Sequence, residues 1–213
     1  MMFDFFFFFQ LAALLICLIF YKKLIYPYKY FAPFLFLIAL FELGTLLDWF
    51  NINHSNTGIL NLFSTVEFIF YSLIIYVLIK NVFHKAIFFY TLIFTLVFTL
   101  SYLIFLKDFN TFNTYTFSLQ AFVIITSCCM YFFYKIQDAR NEILIIKEPT
   151  FWLYTGLLFY YLGGFLFFAS YSHMVYKGGE NFLILYKIVT NVSNIILYSC
   201  LIKLFLCFRQ AKI

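Results

Sequence analysis

The sequence predicts an all-α polytopic membrane protein, a bundle of about seven transmembrane helices with its N-terminus outside and its C-terminus in the cytoplasm. Three observations predict it. Hydrophobic residues make up 65% of the chain and charged residues only 11%, whereas a soluble domain carries about a quarter charged residues, so the apolar excess has to face lipid. Seven unbroken apolar stretches approach the roughly 20 residues that cross about 30 Å of hydrocarbon at 1.5 Å per residue. Basic residues collect in alternate joints between those stretches.

In chain order the spans are expected at residues 5–21, 31–50, 59–79, 86–106, 117–134, 151–170 and 183–208, in a single transmembrane domain covering 1–213. Ahead of the first lies Asp4, where a secretory signal would carry Lys, and no small-x-small cleavage site follows it. Lys22, Lys23 and Lys29 come directly after this span, which keeps the N-terminus outside and the first joint inside. The second and third spans form a hairpin across 51–58, where Asn, Ser and Gly mark a turn. Counting on, Lys80, Lys85, Lys135, Arg140, Lys147, Lys203, Arg209 and Lys212 join the first three inside, and only Lys107 and Lys177 fall in outside joints. A missed helix would scramble that asymmetry, so it supports an odd number of spans. A β-barrel would show alternating segments of about 10 residues, but the runs here are continuous and about twice as long.

No repeat or linker divides the chain, and no joint is large enough to be a soluble domain. The longest inside joint, 135–150, carries an amphipathic run at 142–147 suited to lying on the membrane surface. Placement accounts for the net charge of +5 without an anionic soluble partner, and no direct nucleic-acid binding is expected. Cys17, Cys128, Cys129, Cys200 and Cys207 all lie in apolar stretches and read as small hydrophobes rather than zinc ligands. His54 and His173 are both outside and lack a third close ligand, so no metal site is read, and no cofactor pattern or hydrolase, protease, Walker or kinase motif is present.

Ionisable and polar residues within spans cost several kcal/mol unless they face the bundle interior, which makes them the informative positions. The second span carries Glu42, Thr45 and Asp48, and the third carries Asn61, Ser64, Thr65 and Glu67. Asn61, Ser64, Glu67 and Tyr71 share one helix face. Counted from the span ends, Glu42 and Glu67 are expected at matching depth, about 12 Å below the outer surface. A second stripe, Lys187, Asn191, Asn194 and Tyr198, lies on one face of the seventh span. If that span packs beside the second and third, these residues line one outward-opening cavity. Otherwise the Asn and Ser residues act as interhelical hydrogen-bond glue. Gly156, Gly163 and Gly164 in the sixth span point to close helix packing.

The run Asn53-His54, Asn61-Leu62-Phe63 leading into Glu67-Phe68-Ile69-Phe70-Tyr71, Pro149-Thr150-Phe151-Trp152 and Gly156-Leu157-Leu158-Phe159-Tyr160 resembles small multi-spanning membrane accessory proteins of uncharacterised function in Bacteroidota-type bacteria. Some of these accompany signalling or effector genes. By composition and size the chain is also similar to the membrane accessory proteins found beside type VI-B CRISPR nucleases. The resemblance implies a multi-pass protein of the bacterial inner (plasma) membrane and supplies no catalytic residue. The expected function is therefore a non-enzymatic accessory or sensor, in contact with the lipid bilayer and with a cytosolic protein partner, possible partners including a signalling or defence effector. Lys135, Arg140 and Lys147 are the candidate partner-facing residues. Two alternatives are a small transporter or channel using Glu42, Glu67 and Lys187, and an intramembrane lipid hydrolase using the two glutamates as acid and base.

Overall fold

The computed structural model describes residues 5–47, 49–50, 57–105, 113–137, 145–169 and 179–210. They form seven α-helices: α1 (Phe6–Phe20), α2 (Phe31–Leu46), α3 (Thr57–Leu78), α4 (Val82–Phe105), α5 (Thr114–Gln137), α6 (Pro149–Ala169) and α7 (Gly179–Gln210). All seven are long and apolar enough to cross a membrane, and no strand occurs among the described residues. Short 3-10 turns at Tyr21–Lys23, Tyr28–Tyr30 and Ile145–Lys147 serve the joints. The last is the described part of the run expected to lie along the surface, and 142–144 fall outside the described residues.

Local chemistry sets the helix starts. Asn81 Oδ1 accepts the backbone N–H groups of Phe83 (2.9 Å) and His84 (3.3 Å), capping α4. Asn113 caps α5 by accepting from the Thr116 N–H at 3.2 Å, and Pro149 opens α6, where its missing N–H costs nothing. The end of α2 differs from the expected span, which ran to Phe50. The helix stops at Leu46, the Trp49 N–H donates to the Gly44 carbonyl at 2.9 Å, and the Phe50 ring folds back over Gly44 to stack on Phe41, centroids 5.4 Å apart. Gly44 permits this because a side chain there would occupy the place of that ring.

The helices alternate in direction. α7 lies along α6 and α1; α1 also touches α2, α6 touches α5, and α5 meets α4 and α3. Lipid is as apolar as a leucine side chain, so helices associate through close fit rather than exclusion of water. Glycines provide that fit. A Cβ on Gly156 would come 2.9 Å from Cys200 Cβ on α7, one on Gly163 would strike Ser193 of α7, and one on Gly164 would lie 2.8 Å from the Phe117 ring of α5. Between α2 and α3 the fit is aromatic: Phe34 stacks on Phe70 at 3.6 Å and Phe41 on Phe63 at 3.7 Å. Phe31, Phe68, Tyr71, Leu157, Leu201 and Phe205 are among the core residues, while α4 is the least enclosed helix and presents Phe94, Val97 and Leu100 outward.

One end of the bundle is held by polar contacts between helices. Tyr28, before α2, hydrogen-bonds Thr150 at the start of α6 (2.8 Å) and packs against Phe208 near the end of α7. His84 near the start of α4 meets Tyr134 near the end of α5 (2.8 Å), and Lys135 pairs with Glu148 at 2.7 Å. Lys22, Lys23, Lys29, Lys80, Lys85, Lys135, Lys147, Lys203 and Arg209 all lie toward this basic end, whereas Lys187 lies toward the other. Arg140, Lys212, Lys107 and Lys177 are outside the described residues.

Candidate functional site

Glu67 is the centre of the polar interior. The Tyr160 hydroxyl of α6 donates to its Oε2 at 3.2 Å. Tyr71, one turn further along α3, is fully buried with no hydrogen-bond partner for its hydroxyl, and the Tyr161 ring stands edge-on to it at 6.4 Å. Tyr198 of α7 completes the group, within electrostatic range of Glu67, Glu42 and Tyr71. α3, α6 and α7 thus gather four tyrosines around one partly buried carboxyl. Among the described residues no cationic side chain pairs with it, and its partner is a neutral hydroxyl. A cluster of this kind can hold a proton or accept a hydrogen bond away from water. Sequence reading reached Glu67, Tyr71 and Tyr198 but not Tyr160 and Tyr161. The available signal was position: tyrosines favour the membrane interface, and these two sit in the middle of a span.

Glu42 and Glu67 are less level than span counting expects. The stacked pairs set the antiparallel register, with Phe41 opposite Phe63 and Phe34 opposite Phe70. Continuing that register puts Glu42 opposite Leu62, five residues or about 7.5 Å of helix from Glu67. Helical side chains lean toward their own N-terminus, so on antiparallel helices the two carboxyls lean toward each other. They remain within electrostatic range.

The other stripe residues have their own partners. Asn61 is buried and its Oδ1 accepts the Asn113 backbone N–H at 3.0 Å, bracing α3 against the start of α5. Ser64 and Thr65 donate to the Asn61 carbonyl, and Thr45 donates to that of Phe41. Asn191 and Asn194 donate to the carbonyls of Lys187 and Thr190 on their own helix. The Asn191 Oδ1 is buried without a hydrogen-bond partner. Lys187 is exposed, eleven residues or about 16 Å of helix from Tyr198. Asp48, His54 and His173 lie outside the described residues, among which no three His, Cys, Asp or Glu side chains gather around one point. Of the partner-facing candidates, Lys147 is exposed, Lys135 is engaged by Glu148, and Arg140 lies outside the described residues.

A second site lies at the basic end. A cavity of about 640 Å³ opens between α3, α4 and α5, with Ile75, Phe88, Phe94, Phe122 and Val123 among its walls. Four of its hydroxyls bond to carbonyls of their own helices, Thr91 to Ile87, Thr95 to Thr91, Thr126 to Phe122 and Ser127 to Val123, so the α4 and α5 walls behave there as apolar, while the Tyr131 hydroxyl is buried without a hydrogen-bond partner. Deeper in the bundle, Gln120 donates to Thr99 at 3.3 Å and joins α5 to α4. The mouth carries Lys80, Asn81, His84, Tyr134, Lys135 and Glu148. Sequence reading missed this site, although Thr91, Thr95 and Thr99 recur every four residues along one face of α4. No known protein family, curated protein or solved structure matches the chain.

Proposed function

We propose that this protein is a non-enzymatic accessory or sensor of the bacterial inner membrane that acts on a cytosolic partner through its basic end. The observation that supports this reading is the concentration of basic side chains there, with Lys147 exposed on the turn before α6 and the joints on that side short. Positively charged joints stay in the cytoplasm, which gives an outside N-terminus and a cytoplasmic C-terminus. The partner then meets a basic surface, and a signalling or defence effector with an acidic face has the matching chemistry.

The test uses a photo-crosslinking residue at Ile146, beside the exposed Lys147, in cells that express the full chain. A defined crosslinked species should form, and Lys147→Glu with Arg140→Glu should abolish it while leaving the amount of membrane-embedded protein unchanged. Lys135 is omitted because its reversal would set two carboxylates against each other at Glu148. An undiminished crosslink after both reversals would refute the reading.

One observation favours a second reading, a small transporter or channel: the carboxyl of Glu67 sits with Tyr160 between α3 and α6, deep in the bundle. That reading needs the charge of Glu67, which the accessory reading does not.

A further inference from the structure

We infer that the cavity between α3, α4 and α5 is a binding site for one anionic glycerophospholipid of the surrounding bilayer, with its headgroup at the basic mouth and an acyl chain along the groove. The site goes beyond the accessory reading and holds whichever partner the protein serves.

Shape is the first argument. A volume of about 640 Å³ falls within the roughly 300–1,000 Å³ of small-molecule pockets. From His84 to Thr95 the lining of α4 runs eleven residues, about 16 Å, so the site is long and narrow. Phe94 and Phe122, on opposite walls, are both exposed on the bundle surface. The groove is thus open along its side to whatever surrounds the helices, and a chain can enter from the bilayer without crossing water. The Thr and Ser hydroxyls of α4 and α5 along the groove are already bonded to their own helices, and the unpartnered hydroxyl in the lining, that of Tyr131, belongs to the turn of α5 just before Tyr134 and Lys135 of the mouth.

The mouth supplies the second argument. Lys80 is exposed and has no partner among the described residues, and Lys135 outweighs no more than Glu148, so the rim keeps one uncompensated positive charge. His84 adds a directed donor. Its Nε2 lies 2.8 Å from the Tyr134 hydroxyl, and its Nδ1 is buried without a hydrogen-bond partner. With the tyrosine donating to Nε2, the ring proton sits on Nδ1, which then needs an acceptor. A phosphate oxygen beside Lys80 satisfies both groups. Basic pockets between transmembrane helices recognise anionic headgroups by this combination of charge and hydrogen bonding, and a choline headgroup would bring a cation toward Lys80.

Native mass spectrometry of the full chain, delipidated and titrated with phosphatidylglycerol or phosphatidylcholine of identical chains, tests the inference. One phosphatidylglycerol per chain should be retained in preference to phosphatidylcholine. Lys80→Gln should cut that preference about fivefold, the effect of one cation near a headgroup, and His84→Ala should lower it further. Ser127→Trp, which fills the groove, should remove bound lipid of both kinds. Glycerol phosphate without chains should not compete at equal concentration. Equal retention of the two lipids, an unchanged preference in Lys80→Gln, or lipid still bound in a folded Ser127→Trp protein would each overturn the inference, as would displacement by glycerol phosphate, which would mark a free-anion site. Lys80 is exposed, so its variant remains informative even if the tryptophan variant does not fold.

Discussion

Replacing Asn61 by Ala should destabilise the bundle by about 2 kcal/mol, from the loss of one hydrogen bond that leaves its donor buried. The Asn61 side chain accepts the backbone N–H of Asn113 at 3.0 Å, and the two residues are only 4% and 3% exposed, so no water can replace the lost acceptor. The damage extends to α5, because Asn113 held in this way caps that helix through the Thr116 N–H. An unsatisfied buried donor costs roughly 1–3 kcal/mol, and 2 kcal/mol is roughly a 30-fold fall in the ratio of folded to unfolded protein. Asn61→Asp keeps an acceptor in place and sets a negative charge toward the positive end of α5, so it should recover more than half of the loss. Equilibrium unfolding in mixed micelles of sodium dodecyl sulfate and dodecyl maltoside, followed by far-ultraviolet circular dichroism, gives both values. If Asn61→Ala stays within about 0.5 kcal/mol of wild type, or Asp does no better than Ala, the bracing role is refuted.

Other outcomes follow from the same geometry. Glu67→Gln keeps an acceptor for Tyr160 and should leave unfolding unchanged or slightly harder, whereas Glu67→Leu orphans that hydroxyl and should cost about 1–3 kcal/mol; loss of cellular function in a stably folded Glu67→Gln protein would favour the transporter reading. Gly156→Leu drives a side chain into Cys200 Cβ and the Leu197 carbonyl of α7, and overpacking of this sort should cost roughly 1–3 kcal/mol in the same unfolding assay. A reporter active only in the cytoplasm should work when fused after Ile213 and fail within 51–56; equal signals from the two places would refute the proposed orientation.

The spans were legible because their cause is one-dimensional. Length, apolarity and the placement of lysines need no knowledge of neighbours, and six of the seven helices end within three residues of expectation. α2 is instructive in the same terms: Trp49 and Phe50 are apolar enough to continue a span, but Gly44 leaves room for Phe50 to fold back, and that choice depends on a ring stacking on Phe41. The site was less legible because periodicity names a face without naming what the face meets. Asn61, Ser64 and Glu67 share a stripe, yet Asn61 turns to α5, Ser64 to its own backbone and Glu67 to α6.

Depth was harder still. Counting from span ends places Glu42 and Glu67 level only if both ends lie at the same height, and the early stop of α2 removes that condition. The register is set instead by Phe41 on Phe63 and Phe34 on Phe70, contacts between large rings of a kind that Phe-rich helices can make in more than one alignment. In a chain with 35 phenylalanines, aromatic packing specifies the register only jointly with the residues that fit one way, and here these are the glycines of α6 and the few buried hydrogen bonds. The polar interior therefore has a structural consequence whatever its function: the contacts of Asn61 with Asn113 and of Tyr160 with Glu67 fix how α3 lies against α5 and α6. On this argument a Glu67→Leu, Asn61→Leu double variant should still insert seven helices, but lose a single defined packing rather than its helicity.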